Sequence, residues 1–167
     1  MIQGASKVLV LGPPDGPQDD FVTSVSKVKV RSSARQASGE GVIPMLFGRV
    51  PLGDGLDLQL FGAERDQAPV VLDAISKGLI GAIVLVQSSD AGDPHYAAMA
   101  LDELASRSIP TVVLATGSGD VDAALRQALN LDEHLQAIAC FEVDREQVKR
   151  SLVAVLETAL DLVEGVA

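Results

Sequence analysis

The sequence predicts a three-layer α/β domain in which a mostly parallel, six-stranded sheet lies between two layers of helices. Short apolar segments alternate with amphipathic ones along most of the chain, as in parallel sheets whose strands are buried on both faces. Hydrophobic residues make up 47% of the chain and aromatic residues only 3%, so the core is expected to consist of small aliphatic side chains. At 167 residues we expect one domain over residues 1–167.

The first two predicted elements are a buried strand and a helix. The strand covers 7–11, where Lys-Val-Leu-Val-Leu ends at Gly12. The helix covers 19–28 and has two aspartates in its first turn, where the helix dipole favours carboxylates. The following segment, 29–41, is rich in Ser, Gly, Ala and Arg. It lacks a hydrophobic period, which predicts a long mobile loop.

An antiparallel hairpin is predicted over 45–61. Two segments typical of strands, 45–50 and 56–61, flank the turn sequence Pro-Leu-Gly-Asp-Gly at 51–55. This hairpin supplies the one antiparallel edge strand that we expect in the sheet.

Strands and helices alternate regularly in the rest of the chain. The predicted strands cover 81–86, 111–115 and 137–141, and the predicted helices cover 69–77, 94–106 and 121–130. A last helix begins after Asp144, because Gln147 three residues later gives a capping-box pattern. One face of this helix is apolar and contains Val148, Leu152, Val155, Leu156, Ala159 and Leu162.

Charge and cysteine content exclude several classes of function. The chain carries 23 acidic and 13 basic residues, a net charge of −10, which disfavours binding to nucleic acid or to anionic membranes. The single cysteine, Cys140, excludes an internal disulfide, and its place in an apolar strand predicts a buried thiol. The N-terminal segment does not resemble a signal peptide, and the apolar run 79–86 is too short to span a bilayer. We therefore expect a cytoplasmic protein.

The order of the elements resembles that of Ras-like small GTPases, which have a P-loop NTPase fold. More closely, the chain resembles the bacterial small GTPases that are encoded beside Roadblock proteins and are related to gliding-motility GTPases. The segments that carry this resemblance are LFGRV at 46–50, LQLFG at 58–62, GLIGAIVLV at 78–86, SIPTVV at 108–113 and DREQVK at 144–149.

The phosphate loop that the resemblance implies is degenerate. A working loop has the pattern G-x-x-x-x-G-K-[ST], in which backbone amides and the lysine bind phosphate and the hydroxyl holds magnesium. Only the first glycine, Gly12, is kept, and the positions of Gly, Lys and Ser/Thr hold Pro17, Gln18 and Asp19. Asp15 and Asp20 add negative charge. A close pair of charges interacts with about 4 kcal/mol at an effective dielectric of about 20, so a triphosphate should be repelled.

The switch regions of the family are altered as well. Switch I normally carries a threonine that senses the γ-phosphate, but the corresponding residues 41–44 are Gly-Val-Ile-Pro. In switch II, a glycine contacts the γ-phosphate and a glutamine orients water. Arg65 and Asp66 stand at those two positions.

The loops that read the base in the family are also changed. The Asn-Lys-x-Asp motif is replaced by 116–119, of which Thr116, Gly117 and Gly119 are the altered positions. The sequence Phe-Glu-Val at 141–143 lacks the small alanine-based turn of the last base loop. Together these losses predict a non-catalytic pseudo-GTPase with no catalytic residues and no bound nucleotide.

A protein that presents this fold without its chemistry is expected to act through partners in signalling or polarity. In the family, Roadblock homodimers contact the switch face, so the resemblance implies an interface over 41–50 and 62–77. The candidate interface residues are Phe47, Arg49, Arg65 and Asp66.

Several alternatives remain open from the sequence. The chain could bind GTP or GDP with Mg²⁺ through altered chemistry, or Asp15, Asp19 and Asp20 could chelate a divalent cation; the last two aspartates could equally just begin a helix. The loops 88–90 and 116–120 could accept a small polar ligand. A receiver-like or flavodoxin-like domain is disfavoured by the hairpin and by the lack of a lysine after 111–115. A plain α/β domain with a turn-rich first loop is the simplest alternative.

Overall fold

The computed structural model describes residues 6–13, 16–26, 28–35, 42–53, 56–87, 90, 94–117, 123–131 and 135–164. The strands within these ranges are β1 (Ser6–Gly12), β2 (Val28–Arg35), β3 (Val42–Gly53), β4 (Leu56–Glu64), β5 (Leu79–Gln87), β6 (Thr111–Thr116) and β7 (Gln136–Cys140). The helices are α1 (Gln18–Val25), α2 (Ala68–Ile75), α3 (His95–Ser106), α4 (Ala123–Ala128) and α5 (Arg145–Glu164), and a 3-10 turn, Arg65–Gln67, precedes α2.

The strands form one sheet in the order β2-β3-β4-β1-β5-β6-β7. All pairs from β4 to β7 are parallel, whereas β2 pairs with β3 and β3 with β4 in antiparallel fashion. The predicted fold class, a three-layer α/β domain with a mostly parallel sheet, is confirmed. The predicted hairpin is also confirmed, with Leu46 opposite Gly62 and Phe47 opposite Phe61.

The predicted loop at 29–41 is wrong over its first part. Val28–Arg35 is a strand that pairs with β3 along its whole length, from Val28 opposite Arg49 to Arg35 opposite Val42. The sheet therefore has a seventh strand in addition to the six that were predicted, and this strand, not β3, occupies the antiparallel edge. The alternation Val-Lys-Val-Arg at its start is the period-two signal that indicates it. Residues 36–41 lie outside the described part of the chain.

Two apolar layers enclose the sheet because successive side chains of a strand point to opposite faces. In β1, Val8 and Val10 contribute to the layer covered by α1 and α5. Leu9 and Leu11 contribute to the layer covered by α2, α3 and α4. All four side chains are fully buried, so β1 is the centre of both cores.

Small residues let two helices approach the sheet closely. A Cβ atom at Gly48 would lie 2.5 Å from Val22 Cγ1 on α1, and one at Gly81 would overlap Val155 Cγ1 on α5. Near the end of α1, the backbone N–H of Arg49 donates a 2.7 Å hydrogen bond to Ser26 Oγ. These contacts fix α1 and α5 against the same face of the sheet.

The predicted start of the last helix is confirmed. The backbone N–H of Gln147 donates to Asp144 Oδ1 at 2.9 Å, which is the N-cap interaction that satisfies an amide of the first turn. No helix in the part of the chain that the structure describes is long and apolar enough to cross a membrane.

The carboxyl ends of the parallel strands meet at one edge of the sheet. This edge holds Gly12 at the end of β1, Glu64 at the end of β4, Gln87 at the end of β5 and Thr116 at the end of β6. Ligands of open α/β sheets bind at such an edge. The fold therefore brings the predicted phosphate, switch and base loops to one side of the molecule.

Candidate functional site

The side chain of Gln18 lies in the predicted phosphate-loop region, next to Gly12 and Pro13. It is only 5% exposed, and its Nε2 donates a 2.9 Å hydrogen bond to the carbonyl oxygen of Pro13. Its Oε1 lies so close to Gly12 that a Cβ atom at that position would overlap it. Gln18 therefore turns back against the end of β1, over Gly12, the glycine that is kept at a motif position.

Gln18 Oε1 is a buried acceptor without a hydrogen-bond partner among the described residues. The backbone around it is already engaged, because the N–H of Gly16 donates to Pro13 O at 2.9 Å. The carbonyl of Pro13 thus accepts hydrogen bonds from both a backbone amide and the Gln18 side chain. In a phosphate loop, the amides and a lysine would instead face an anion.

The acidic residues after this loop begin α1. Pro17 precedes the helix, and its carbonyl accepts the N–H of Phe21 at 2.8 Å. Asp19 and Asp20 occupy the first turn, where they interact favourably with the helix dipole. Asp15, the third residue of the proposed metal site, lies outside the described residues. Within the described ranges, no group of three His, Cys, Asp or Glu side chains could hold a metal ion.

The segment after β4 is fixed by a buried ion pair that the sequence did not reveal. Arg65 Nη1 lies 2.9 Å from Asp90 Oδ2, and both side chains are almost completely buried. The same carboxylate oxygen accepts the backbone N–H of Gln87 at 2.7 Å. Asp90 therefore links the end of β5 to the 3-10 turn after β4, and its carboxylate is engaged within the protein rather than open to a small ligand.

Arg65, one of the predicted interface residues, is directed into the domain. The residue is 5% exposed, and its guanidinium lies against the Leu85 carbonyl as well as Asp90. Asp66, its neighbour, is partly buried. Asp66 Oδ2 accepts a long hydrogen bond of 3.4 Å from Gln67 Nε2. The side chains at the two switch II positions, Arg65 and Asp66, thus both interact with other residues of the domain.

The polar groups of Thr116 and Gly117 in the predicted base loop form hydrogen bonds to backbone carbonyls of the domain. Thr116 Oγ1 donates to the carbonyl oxygen of Val86 at 3.3 Å and is buried between β5 and β6. Gly117 has a positive φ of 85°, which glycine adopts without strain, and its N–H donates to Phe141 O at 3.1 Å. Gly119 lies outside the described residues.

Two other predicted interface residues lie on β3. Phe47 is half-buried and packs against Phe61 with ring centroids 5.3 Å apart. Arg49 is exposed and forms a 2.7 Å ion pair with Asp57 on β4. These two side chains project from the same face of β3, since they are two residues apart in a strand.

The Cys140 thiol is buried at the end of β7, as predicted. Burial raises its pKa, and the nearby Asp144 carboxylate raises it further, while Arg150 acts in the opposite direction. Because the thiolate is the nucleophile, a raised pKa and poor access should both slow its reactions.

We expect Cys140 in the native protein to react with iodoacetamide at pH 8 at least about tenfold more slowly than the same thiol in urea. Mass spectrometry of timed samples would measure both rates, and free cysteine added to each solution would correct for the effect of urea on the reagent. Equal native and denatured rates would show that the thiol is accessible.

Comparison with known proteins identifies the fold. No protein-family model and no curated protein matches the sequence, but solved structures of GTPase domains do match. The cytosolic domain of the T. maritima FeoB iron transporter in a GDP form aligns with a TM-score of 0.61 and 14% identity over 93% of this chain. This chain spans 64% of that domain, less than two thirds of its length.

Two further structures give the same result. The G domain of T. maritima FeoB has a TM-score of 0.55 and 16% identity, with 93% of this chain and 99% of that one covered. A variant of Aquifex aeolicus Era bound to GDP and aluminium fluoride has a TM-score of 0.60 and 8% identity, with 92% and 57% covered. The chain therefore has a small GTPase-like fold, and identities this low carry no statement about its activity.

Proposed function

We propose that this chain is a pseudo-GTPase, a domain that neither binds nor hydrolyses GTP and works as a protein-interaction module. The observation that carries the proposal is the position of Gln18, which is buried against Gly12 and hydrogen-bonded to Pro13. The Gln18 amide, which replaces the phosphate-binding lysine, is neutral. Its hydrogen bond to the Pro13 carbonyl joins the two ends of the loop.

The surroundings of Gln18 also oppose a polyphosphate. Pro17 has no amide hydrogen to donate, so one of the donors that a phosphate loop normally supplies is missing. Asp19 and Asp20 follow directly in the first turn of α1. A bound triphosphate would have to displace a buried side chain and approach two carboxylates, at a loop whose lysine position holds a glutamine.

The switch II segment supports the same proposal. Nucleotide-driven switches need a segment that moves between two arrangements. Here, moving the 3-10 turn would leave Asp90 as a buried charge without its Arg65 partner, which typically costs about 3–5 kcal/mol. The segment is therefore expected to present one conformation to a partner.

The partner proposed from the resemblance is a Roadblock-type homodimer in a cytoplasmic signalling or polarity assembly. The interface residues that we retain are Phe47 and Arg49 on β3 and Asp66 in the 3-10 turn after β4. Arg65 is left out of the proposed interface because its side chain is buried.

Calorimetric titration with GTP and GDP in Mg²⁺ tests the proposal directly. We expect no saturable binding up to nucleotide concentrations of about 1 mM. Micromolar binding of either nucleotide would overturn the proposal and establish the alternative, a nucleotide-binding protein of altered chemistry.

A restored loop provides the matched comparison. The triple variant Pro17→Gly/Gln18→Lys/Asp19→Ser recreates the full G-x-x-x-x-G-K-S pattern and is expected to bind inorganic triphosphate at least about tenfold more tightly than the natural chain. Lys77→Glu, a charge change at an exposed position away from the loop, should leave triphosphate binding unchanged. If the triple variant folds but binds no better, the loop residues are not what prevents phosphate binding.

A further inference from the structure

The strand β7 ends the sheet on the side opposite to the hairpin. In the described part of the chain it pairs only with β6, so one edge of its backbone has no strand beside it. An edge strand offers N–H and C=O groups to another strand, and folded proteins usually cover or interrupt such an edge. Gln136–Cys140 contains neither a proline nor a lysine that would block pairing.

A groove of about 370 Å³ runs between this edge and α5. Gln136 and Ile138 line it from the strand, and Val153 and Ala154 line it from the helix. Val153 is 52% exposed, and Leu160, seven residues later on the same helix face, is 60% exposed. Of these two exposed apolar side chains, Val153 lies in the groove beside the edge strand.

Four charged residues of α5 line the groove, Glu146, Lys149, Arg150 and Glu157, and two of them, Lys149 and Glu157, are placed symmetrically about Val153. Lys149 lies four residues before it and Glu157 four residues after it, and both line the groove. At a rise of about 1.5 Å per residue, each is about 6 Å from Val153 along the helix axis. A two-fold axis at Val153 would therefore bring Lys149 of each copy level with Glu157 of the other.

A two-fold axis at Val153 is also compatible with pairing between two copies of β7. Ile138, the central residue of β7, lines the groove together with Val153. Further along the strand, Cys140 is close enough to Arg150 for that charge to lower its pKa. The middle of β7 thus lies level with the middle of the charge pattern, and a single axis can relate both the strands and the helices.

We propose that this chain forms a symmetric homodimer in which β7 pairs in antiparallel fashion with β7 of a second copy. The axis passes Ile138 and Val153, and Lys149 of each subunit faces Glu157 of the partner subunit across the joined groove. A second copy is favoured over an unrelated strand because a two-fold interface must be self-complementary. The groove-lining charges of α5 before Val153 are mainly basic, Lys149 and Arg150 beside Glu146, and the one after it, Glu157, is acidic. The dimer is independent of the proposed loss of nucleotide binding.

Sedimentation velocity over about 1 to about 300 µM protein tests the proposal. The natural chain is expected to change from monomer to dimer within this range. Lys149→Glu and Glu157→Lys each place like charges across the axis and should weaken the dimer at least about fivefold. The double variant Lys149→Glu/Glu157→Lys restores opposite charges and should return dimerisation to within about twofold of the natural chain.

Lys77→Glu is the matched control, because it makes the same charge change as Lys149→Glu on an exposed residue that does not line the groove and should leave the dimer intact. Circular dichroism and thermal melts would confirm that each variant is folded. Hydrogen exchange should show the amides of 136–140 becoming protected as the concentration of the natural chain rises. A chain that stays monomeric throughout, or a dimer that both single variants leave unchanged, would overturn the proposal.

Discussion

Replacing Arg65 with methionine is expected to lower the free energy of unfolding by about 3–5 kcal/mol, because it leaves the Asp90 carboxylate buried without its counter-charge. Methionine fills a similar volume, so the loss reflects charge more than packing. Among the described residues, Asp90 would keep the 2.7 Å hydrogen bond from the backbone N–H of Gln87. Urea denaturation monitored by circular dichroism would measure the difference between the two proteins.

Arg49→Met is the control for this experiment. Arg49 also forms an ion pair, with Asp57 at 2.7 Å, but its side chain is 48% exposed and that of Asp57 30%. An exposed pair contributes about 0–1 kcal/mol, so the two arginine variants should differ several-fold in their effect. The double variant Arg65→Met/Asp90→Asn should recover part of the lost stability, since it removes the buried charge. Equal effects of Arg65→Met and Arg49→Met would show that the Arg65–Asp90 pair is accessible to solvent.

The parallel part of the fold could be predicted because its strands carry a strong local signal. The segments 79–86 and 112–115 are continuous runs without polar side chains, and such runs are typical of strands buried on both faces. The edge strand β2 carries a weaker signal, since Val28 and Val30 are followed by serines and the alternation fades. Pairing with β3 stabilises this strand through backbone hydrogen bonds, which do not depend on side-chain type.

The chemistry of the candidate site could be predicted in part. The absence of a lysine at residue 18 and the acids that follow are facts of the sequence. The direction of the Gln18 side chain is not, because it depends on the space over Gly12 and on the position of the Pro13 carbonyl that accepts its hydrogen bond. The burial of Arg65 could not be predicted from the sequence for a similar reason. Its partner Asp90 is 25 residues away in the chain, and only the parallel arrangement of β4, β1 and β5 brings the two together.

Replacing Gly81 with alanine is expected to destabilise the protein by about 1–3 kcal/mol through overpacking. The added Cβ atom would overlap Val155 Cγ1 and would lie 3.1 Å from the carbonyl oxygen of Pro110. Both neighbours are held in place, because Val155 is fully buried in α5 and the Pro110 carbonyl accepts a 2.8 Å hydrogen bond from the N–H of Ala82. Thermal and urea denaturation would measure the loss.

Gly62→Ala separates this steric effect from the general effect of adding a methyl group to a strand. Its nearest neighbour would be Val22 Cγ2 at 3.2 Å, so a shift of a few tenths of an ångström accommodates it and the expected loss is smaller than at Gly81. The variant Val155→Ala removes the group that Gly81→Ala would strike. Because the two residues share one contact, the double variant should lose less stability than the sum of the single variants. If the losses of unfolding free energy were strictly additive, Val155 on α5 would not contact β5 at Gly81. The orientation of α5, and with it the positions of Lys149 and Glu157, would then differ from those described.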